Sequence, residues 1–211
     1  MKQIRREHHL ARTDRAALDS VLDAAAVGTL ATVVDGLPWV VPMLYARDGD
    51  RVVLHGSTGA GALRHVAAGA PAAFCVTLLD GIVVAETLFE STANYRSAVV
   101  RGNLTVIDQP DAAHALDLMS DALIPGRSSE VRSSTKKELA ATLAIALPIE
   151  PEGWTVKVRD APPPRPEAQA DHGGWAGVVP LRTVAGDPVP APWVTPETDT
   201  PESVRRLIKG T

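Results

Sequence analysis

Three β-branched segments in tandem, joined by tight turns, constrain the fold of this 211-residue chain more than any other feature. The segments are 29–34, 39–46 and 51–55, and the turns between them are Asp35-Gly36 and Asp48-Gly49-Asp50. Asp-Gly is a strong hairpin signal, because both positions of such a turn need a positive φ. Strands this close in sequence pair as antiparallel neighbours, since a parallel pair needs a long crossover. The pattern predicts an antiparallel sheet or barrel and argues against a parallel α/β sheet.

The remaining strands and helices are predicted from hydrophobic periodicity and from turn residues. Strands are expected over 72–79, 82–84, 97–107 and 154–158, with a turn at Asp80-Gly81. Helices are expected from the Thr13-Asp14 cap to Gly28, over 62–69 and over 111–123. Residues 138–149 pass from a helical turn into a strand. The chain is therefore expected to be mainly β with flanking helices.

The domain organisation is predicted from shifts in composition. Residues 1–12 are basic and polar and are expected to form a flexible N-terminal arm, and residues 13–160 form one β-rich domain. Most of the 17 prolines follow residue 147, so the segment 161–211 is expected to be extended and to wrap the barrel or a dimer.

Composition excludes several functional classes. The net charge of −4 argues against a nucleic-acid partner or a polybasic membrane surface. No apolar run reaches the roughly 18 residues that a membrane-spanning helix needs. The charged start, MKQIRREHHL, does not resemble a secretory signal, and the single cysteine, Cys75, cannot form an internal disulfide. These features predict a soluble cytoplasmic protein without a membrane partner.

Two segments carry residues suited to binding an anion. His55-Gly56-Ser57-Thr58 lies between a strand and a helix, where backbone N–H groups and hydroxyls favour negative charge. Asn94-Tyr95-Arg96-Ser97 enters a later strand and offers a guanidinium. A plain capped turn and a surface arginine are the structural alternatives. Because no metal cluster, nucleophile elbow or carboxylate pair stands out, the chain favours a site where a cofactor performs the chemistry.

In order and spacing, these segments resemble the pyridoxamine 5′-phosphate oxidase-like split barrel that binds FMN, in the branch of the nitroimidazole-resistance (Nim-type) proteins. The resemblance runs from about residue 18 to 181. It rests on VGTLAT (27–32), VPMLY (41–45), LHGS (54–57), Leu88-Phe89, NYRSAVV (94–100), PGR (125–127), KVR (157–159) and WAGVVP (175–180).

The resemblance implies a six-stranded antiparallel split β-barrel that forms a homodimer, with a flavin in each of two clefts between the subunits. The implied cofactor-binding residues are Pro42, Met43, Leu44, Tyr45, His55, Gly56, Ser57, Thr58, Tyr95, Arg96 and Ser97. Relatives often carry Lys or Arg where this chain has Ala62, beside the cofactor phosphate. The cofactor is expected to be FMN, with deazaflavin and haem as alternatives, because split-barrel relatives use these too.

The expected function is that of an FMN-dependent oxidoreductase, with nitroreductase-like chemistry among its forms. Such an enzyme passes electrons from a reductant through the flavin to a small molecule. Tyr45 and His55 are the candidate proton donors. A flavin, deazaflavin or haem binding protein or sensor without turnover is the alternative function.

Overall fold

The computed structural model describes residues 7–59, 61–109, 111–165 and 174–209. Residues 1–6 of the expected arm and 166–173 of the Pro-rich segment lie outside these ranges. The strands are β1 (Ala11–Arg12), β2 (Val27–Val34), β3 (Leu37–Asp48), β4 (Arg51–Ser57), β5 (Pro71–Val84), β6 (Thr92–Asn103), β7 (Thr105–Val106), β8 (Thr142–Pro148), β9 (Trp154–Arg159) and β10 (Gly177–Pro180). The α-helices are α1 (Arg15–Leu22), α2 (Gly61–Ala67), α3 (Asp111–Leu123), α4 (Lys136–Ala141) and α5 (Glu202–Lys209).

All strand pairings are antiparallel, in the order β1-β9-β6-β5-β2-β3-β4-β8-β7, with β10 added beside β5. The mainly β, antiparallel class is thus confirmed. The described residues form ten strands rather than six, because the short β1, β7 and β10 add to the longer strands, and the sheet does not close on itself.

The predicted turn at Asp35-Gly36 joins β2 to β3. Both residues have a positive φ, 51° at Asp35 and 78° at Gly36. This conformation matches the right-handed twist of the flanking strands, so the local sequence alone defines the hairpin.

The predicted turn at Asp80-Gly81 is wrong, because β5 continues through both residues to Val84. The ladder with β6 shifts its register between Leu79 and Gly81, which marks a β-bulge. Two contacts from outside the segment favour the continuous strand: Asp80 binds Arg96 of β6, and Gly81 lies against β10. A Cβ at Gly81 would lie 3.1 Å from the Val179 carbonyl oxygen.

The hydrophobic core has two parts. The larger lies between the sheet and α1, where Leu18, Leu22 and Phe74 are fully or almost fully buried. The smaller packs α3 against β3, β4 and β8 through Ala115, Met119 and their neighbours. Because α3 covers one end of β3 while α1 and the sheet cover the other, β3 contributes to both parts.

The chain after residue 160 includes two elements that the sequence pattern did not predict. Strand β10 pairs with the far end of β5, and α5 lies near the end of the chain. The Glu130 carboxylate accepts hydrogen bonds from the backbone N–H and the hydroxyl of Ser203, which fixes the start of α5.

No helix in the described ranges is both long enough and apolar enough to cross a membrane.

Candidate functional site

A cleft opens where β3 separates from β4. Residues 37–44 of β3 pair with β2, and residues 45–48 pair with β4, so the strand passes from one ladder to another at Leu44 and Tyr45. Beyond Leu54, β4 continues alongside β8 instead. The cleft has a volume of about 330 Å³ and is lined by Trp39, Val41, Pro42, Met43, Leu44, His55, Gly56 and Leu63.

The split leaves two backbone edges facing the cleft. In the described residues, the first part of β3 is paired on its β2 side and the last part of β4 on its β8 side. Their other edges have no strand partner, so their N–H and C=O groups must find water or a ligand. Pro42 lacks an N–H and is tolerated at such an edge. The cleft can therefore hold a flat apolar ligand that also accepts and donates hydrogen bonds along its rim.

Five of the predicted site residues line this cleft together: Pro42, Met43, Leu44, His55 and Gly56. Three further lining residues were not predicted, namely Trp39, Val41 and Leu63. Trp39 and Val41 share the period-two spacing of Met43 on β3, and that spacing could have identified them. Leu63 comes from α2, and no local signal places it there.

His55 lies at the mouth of the cleft on β4. Its side chain is exposed, but desolvation by its surroundings lowers the pKa of the imidazole. Near neutral pH the ring is therefore mainly uncharged, and one nitrogen donates while the other accepts. A neutral His55 can exchange a proton with a ligand, but it offers little charge to a phosphate.

Tyr45 belongs to the core rather than to the cleft lining. It is 3% exposed, its hydroxyl donates to the Leu22 carbonyl oxygen at 2.6 Å, and its ring meets Phe74 edge-on at 4.9 Å. Burial raises the pKa of the phenol well above its usual range. In this position Tyr45 stabilises the packing of α1 and is not available as the expected proton donor.

Ser57 and Thr58 lie on the exposed loop that ends β4. The Ser57 Oγ accepts a hydrogen bond from the Gly59 N–H, and the Thr58 backbone N–H donates to the Ala141 carbonyl oxygen. Behind this loop, a Cβ at Gly56 would lie 2.4 Å from the Leu63 Cδ2 atom. Glycine at this position therefore allows α2 to pack against the end of β4.

Arg96 lies in a second cavity of about 840 Å³, at the end of the sheet beside the α1–β2 connection. Its Nε and Nη2 atoms donate to the two carboxylate oxygens of Asp80 at 2.9 and 2.8 Å. This pairing raises the pKa of the guanidinium, which stays charged. Both bonds use Nε and Nη2, so Asp80 fixes the side chain without engaging Nη1.

Tyr95 and Ser97 point to the other face of β6. Successive side chains on a strand alternate between faces, so Arg96 shares its face with the core-packed Leu78, opposite to Tyr95 and Ser97. The Lys157 ammonium lies 6.0 Å from the centre of the Tyr95 ring on that face. Arg96 and Ser97 therefore cannot act as one clamp on a single phosphate of the same subunit.

Within one chain, the cleft and Arg96 are separated by the sheet itself. Strands β6 and β3 are three positions apart in the sheet order, which corresponds to about 14 Å at the usual strand spacing. The two groups of predicted residues thus form separate surfaces of the subunit.

Comparison of sequences identifies the family. The family described as pyridoxamine 5′-phosphate oxidase matches residues 14–153, which include the cleft and β6. No curated protein matches the chain.

Solved structures resemble nearly the whole chain. A protein of Mycobacterium smegmatis, described as binding FAD and heme, is 47% identical over 94% of this chain and 97% of its own, with a TM-score of 0.92. The flavocytochrome Anf3 of Azotobacter vinelandii is 32% identical over 97% and 94%, with a TM-score of 0.89. A 5-nitroimidazole resistance protein of Bacteroides thetaiotaomicron, at 20% identity over 70% and 86% and a TM-score of 0.59, shares the fold.

Proposed function

Because this chain belongs to the pyridoxamine 5′-phosphate oxidase family, we propose that it is a flavin-dependent oxidoreductase that works as a homodimer. The observation that carries the proposal is the apolar cleft between the separated ends of β3 and β4. Two structures at 47% and 32% identity, which align with nearly the whole chain, hold a flavin according to their descriptions.

The cleft suits the flavin ring. Trp39, Val41 and Met43 offer apolar surface, and the unpaired backbone edges offer hydrogen bonds to the polar side of the ring. A bound flavin supplies two-electron transfer between a reductant and a small acceptor. The chain holds the ring, excludes water from its apolar side and places His55 where a neutral imidazole can give or take a proton.

FAD is favoured over FMN as the flavin. The terminal phosphate of FMN carries about −1.5 to −2 charges, and its usual cationic partner is replaced by Ala62 in this chain. His55, with its lowered pKa, does not compensate for that charge. In FAD the charge is shared between two phosphodiester groups, so each needs less compensation. The M. smegmatis relative is described as an FAD and heme binding protein, which supports the same choice.

The second subunit is proposed to complete each flavin site. Ser97 and Tyr95 lie on the outer face of the sheet, where Val27, Val40 and Leu44 are also exposed. Packing two copies through this face would bring β6 of one copy toward the cleft of the other. Arg96, oriented by Asp80, would then direct its Nη1 group toward the phosphates of the partner's flavin.

A haem-binding flavocytochrome is the second candidate function, because the two best-covered relatives are described as a heme-binding protein and a flavocytochrome. Haem iron needs an axial ligand such as a histidine nitrogen. Among the histidines of the described ranges, His55 is the one that lines a described cavity. We rank this candidate second, because that position is already assigned to the flavin cleft.

The absorption spectrum of the purified protein tests the proposal. A flavin band near 450 nm is expected, and chromatography of the released cofactor should identify FAD rather than FMN. A Soret band near 400 nm that His55→Ala shifts, while His65→Ala does not, would support the haem candidate. Colourless protein that binds neither added flavin nor haem would contradict both. Turnover with NAD(P)H and a nitroaromatic acceptor then separates an enzyme from a carrier without turnover.

A further inference from the structure

The turn between β5 and β6 carries two large apolar side chains at the tip of a projecting hairpin. Leu88 and Phe89 are each 97% exposed. We call residues 79–94 the arm. Beyond Leu79 the described strands that flank β5 are β6 and β10, so the arm extends about 20 Å past the last residues that β5 pairs with in the body of the sheet.

The tip is held in a defined conformation. The Ser91 N–H and hydroxyl both donate to the Thr87 carbonyl oxygen, and the Ala85 N–H donates to the Ser91 Oγ. The Thr87 Oγ also accepts a hydrogen bond from the Glu90 N–H. These bonds close the turn without any contribution from Leu88 or Phe89. The turn is therefore built to present both side chains rather than to bury them.

The arm exposes more apolar surface than a monomer usually does. Leu79 (51%), Ile82 (40%) and Val179 of β10 (47%) are exposed in addition to the tip. Together these five side chains carry on the order of 700 Å² of accessible surface, above the 300–600 Å² of the largest patch on a typical monomer. A standard interface buries about 800 Å² per partner, so the arm alone comes close to that area.

We propose that the arm is a clasp that buries Leu88 and Phe89 against a second copy of this chain. A second copy is the occupant because the arm begins next to the exposed outer face of β2 and β3, so one continuous surface joins both. The acidic residues Glu86 and Glu90 flank the tip, which disfavours insertion into an anionic membrane. The inference deepens the homodimer of the proposed function, since Arg96 and Ser97 lie at the base of the arm.

The variant that tests the clasp is the double replacement Leu88→Ser with Phe89→Ser. Both side chains are almost fully exposed, so the subunit should keep its fold and its circular dichroism spectrum. Sedimentation of the cofactor-free protein should show a dimer dissociation constant raised at least roughly 100-fold, because each side chain loses its burial at both symmetric contacts. Val131→Ser, an exposed apolar residue near η-turn 127–129 and far along the chain from the arm, is the matched control.

Three results would overturn the clasp. One is a double variant that dimerises as tightly as Val131→Ser, and another is a wild-type chain that stays monomeric at all concentrations. The third is tip-dependent binding to phosphatidylcholine–phosphatidylglycerol vesicles without a change in dimerisation. Because the measurement uses no flavin, a tip-dependent dimer that binds no flavin would leave the clasp intact and contradict the proposed function instead.

Discussion

Arg96 and Asp80 provide a quantitative test of the composite flavin site. The change is Arg96→Gln, which removes the guanidinium but keeps a polar side chain of similar length. Loss of one hydrogen bond to a charged group costs about 1.5–3 kcal/mol, which raises the flavin dissociation constant roughly 10- to 150-fold. Asp80→Asn leaves the guanidinium but loosens it, and the freed rotamers should raise the constant about three- to tenfold.

The effect on folding should be small by comparison. The side chains of Arg96 and Asp80 are 32% and 34% exposed, so solvent screens the pair. Breaking a pair of this exposure should lower the free energy of unfolding by at most about 1 kcal/mol. The assay is therefore quenching of flavin fluorescence on binding, with urea unfolding of the same samples to confirm that they remain folded.

Arg132 supplies a matched control of the same chemistry. It donates two hydrogen bonds to Glu138, at 2.8 and 2.6 Å, on an exposed part of the chain. Arg132→Gln should leave the flavin dissociation constant unchanged. If Arg96→Gln, folded and dimeric, binds flavin as tightly as this control, then Arg96 does not reach the cofactor and the composite site is refuted.

Three further expectations concern Tyr45, Gly28 and His55. Tyr45→Phe removes the hydrogen bond to the Leu22 carbonyl and should lower the free energy of unfolding by about 1–2 kcal/mol in urea titrations, with no loss if the hydroxyl is unimportant. The raised pKa of Tyr45 means that its contribution is complete below about pH 10, the ordinary tyrosine value, and is lost as the pH rises further, so wild type should lose more stability than Tyr45→Phe in alkaline melting experiments. Gly28→Ala places a Cβ 2.2 Å from the Phe74 ring and should destabilise by about 1–3 kcal/mol, with partial rescue by Phe74→Leu in thermal melts, whereas full stability of the single variant would contradict the close approach. Because the pKa of His55 is lowered, its contribution to stability is present above about pH 6.5 and is lost as the pH falls, an acid-side loss that His55→Gln should reduce.

The sequence predicts those parts of the fold that depend on local chemistry. Asp35-Gly36 defines its hairpin because both residues accept the positive φ that the turn needs. The same dipeptide type at Asp80-Gly81 does not turn, because Arg96 and β10 hold it within a continuous strand. Identical local signals thus gave one correct and one wrong prediction, and contacts distant in sequence made the difference.

The cavities differ in how far the sequence reveals them. The cleft combines residues of β3 and β4, adjacent strands joined by a predicted turn, so most of its lining could be predicted. The cavity at Arg96 combines 24–27, 77–80 and 181–184, and no periodicity links segments so far apart. Helix α5 did carry a signal, since Pro201 precedes Glu202 in the first turn and Arg206 and Lys209 follow in the last.

The division of β3 between two ladders explains why this fold suits a flat cofactor. A strand paired on both edges has no backbone groups left for a ligand, and a strand paired on neither edge would not be held in place. In this chain β2 anchors the first part of β3 and β4 anchors the rest, so the edge between them is both fixed and open. Its N–H and C=O groups need partners that the described chain does not supply, and water or a ligand must supply them. A ligand that satisfies this edge therefore stabilises the fold by the free energy with which it binds, so folding and cofactor capture depend on the same few residues at the split.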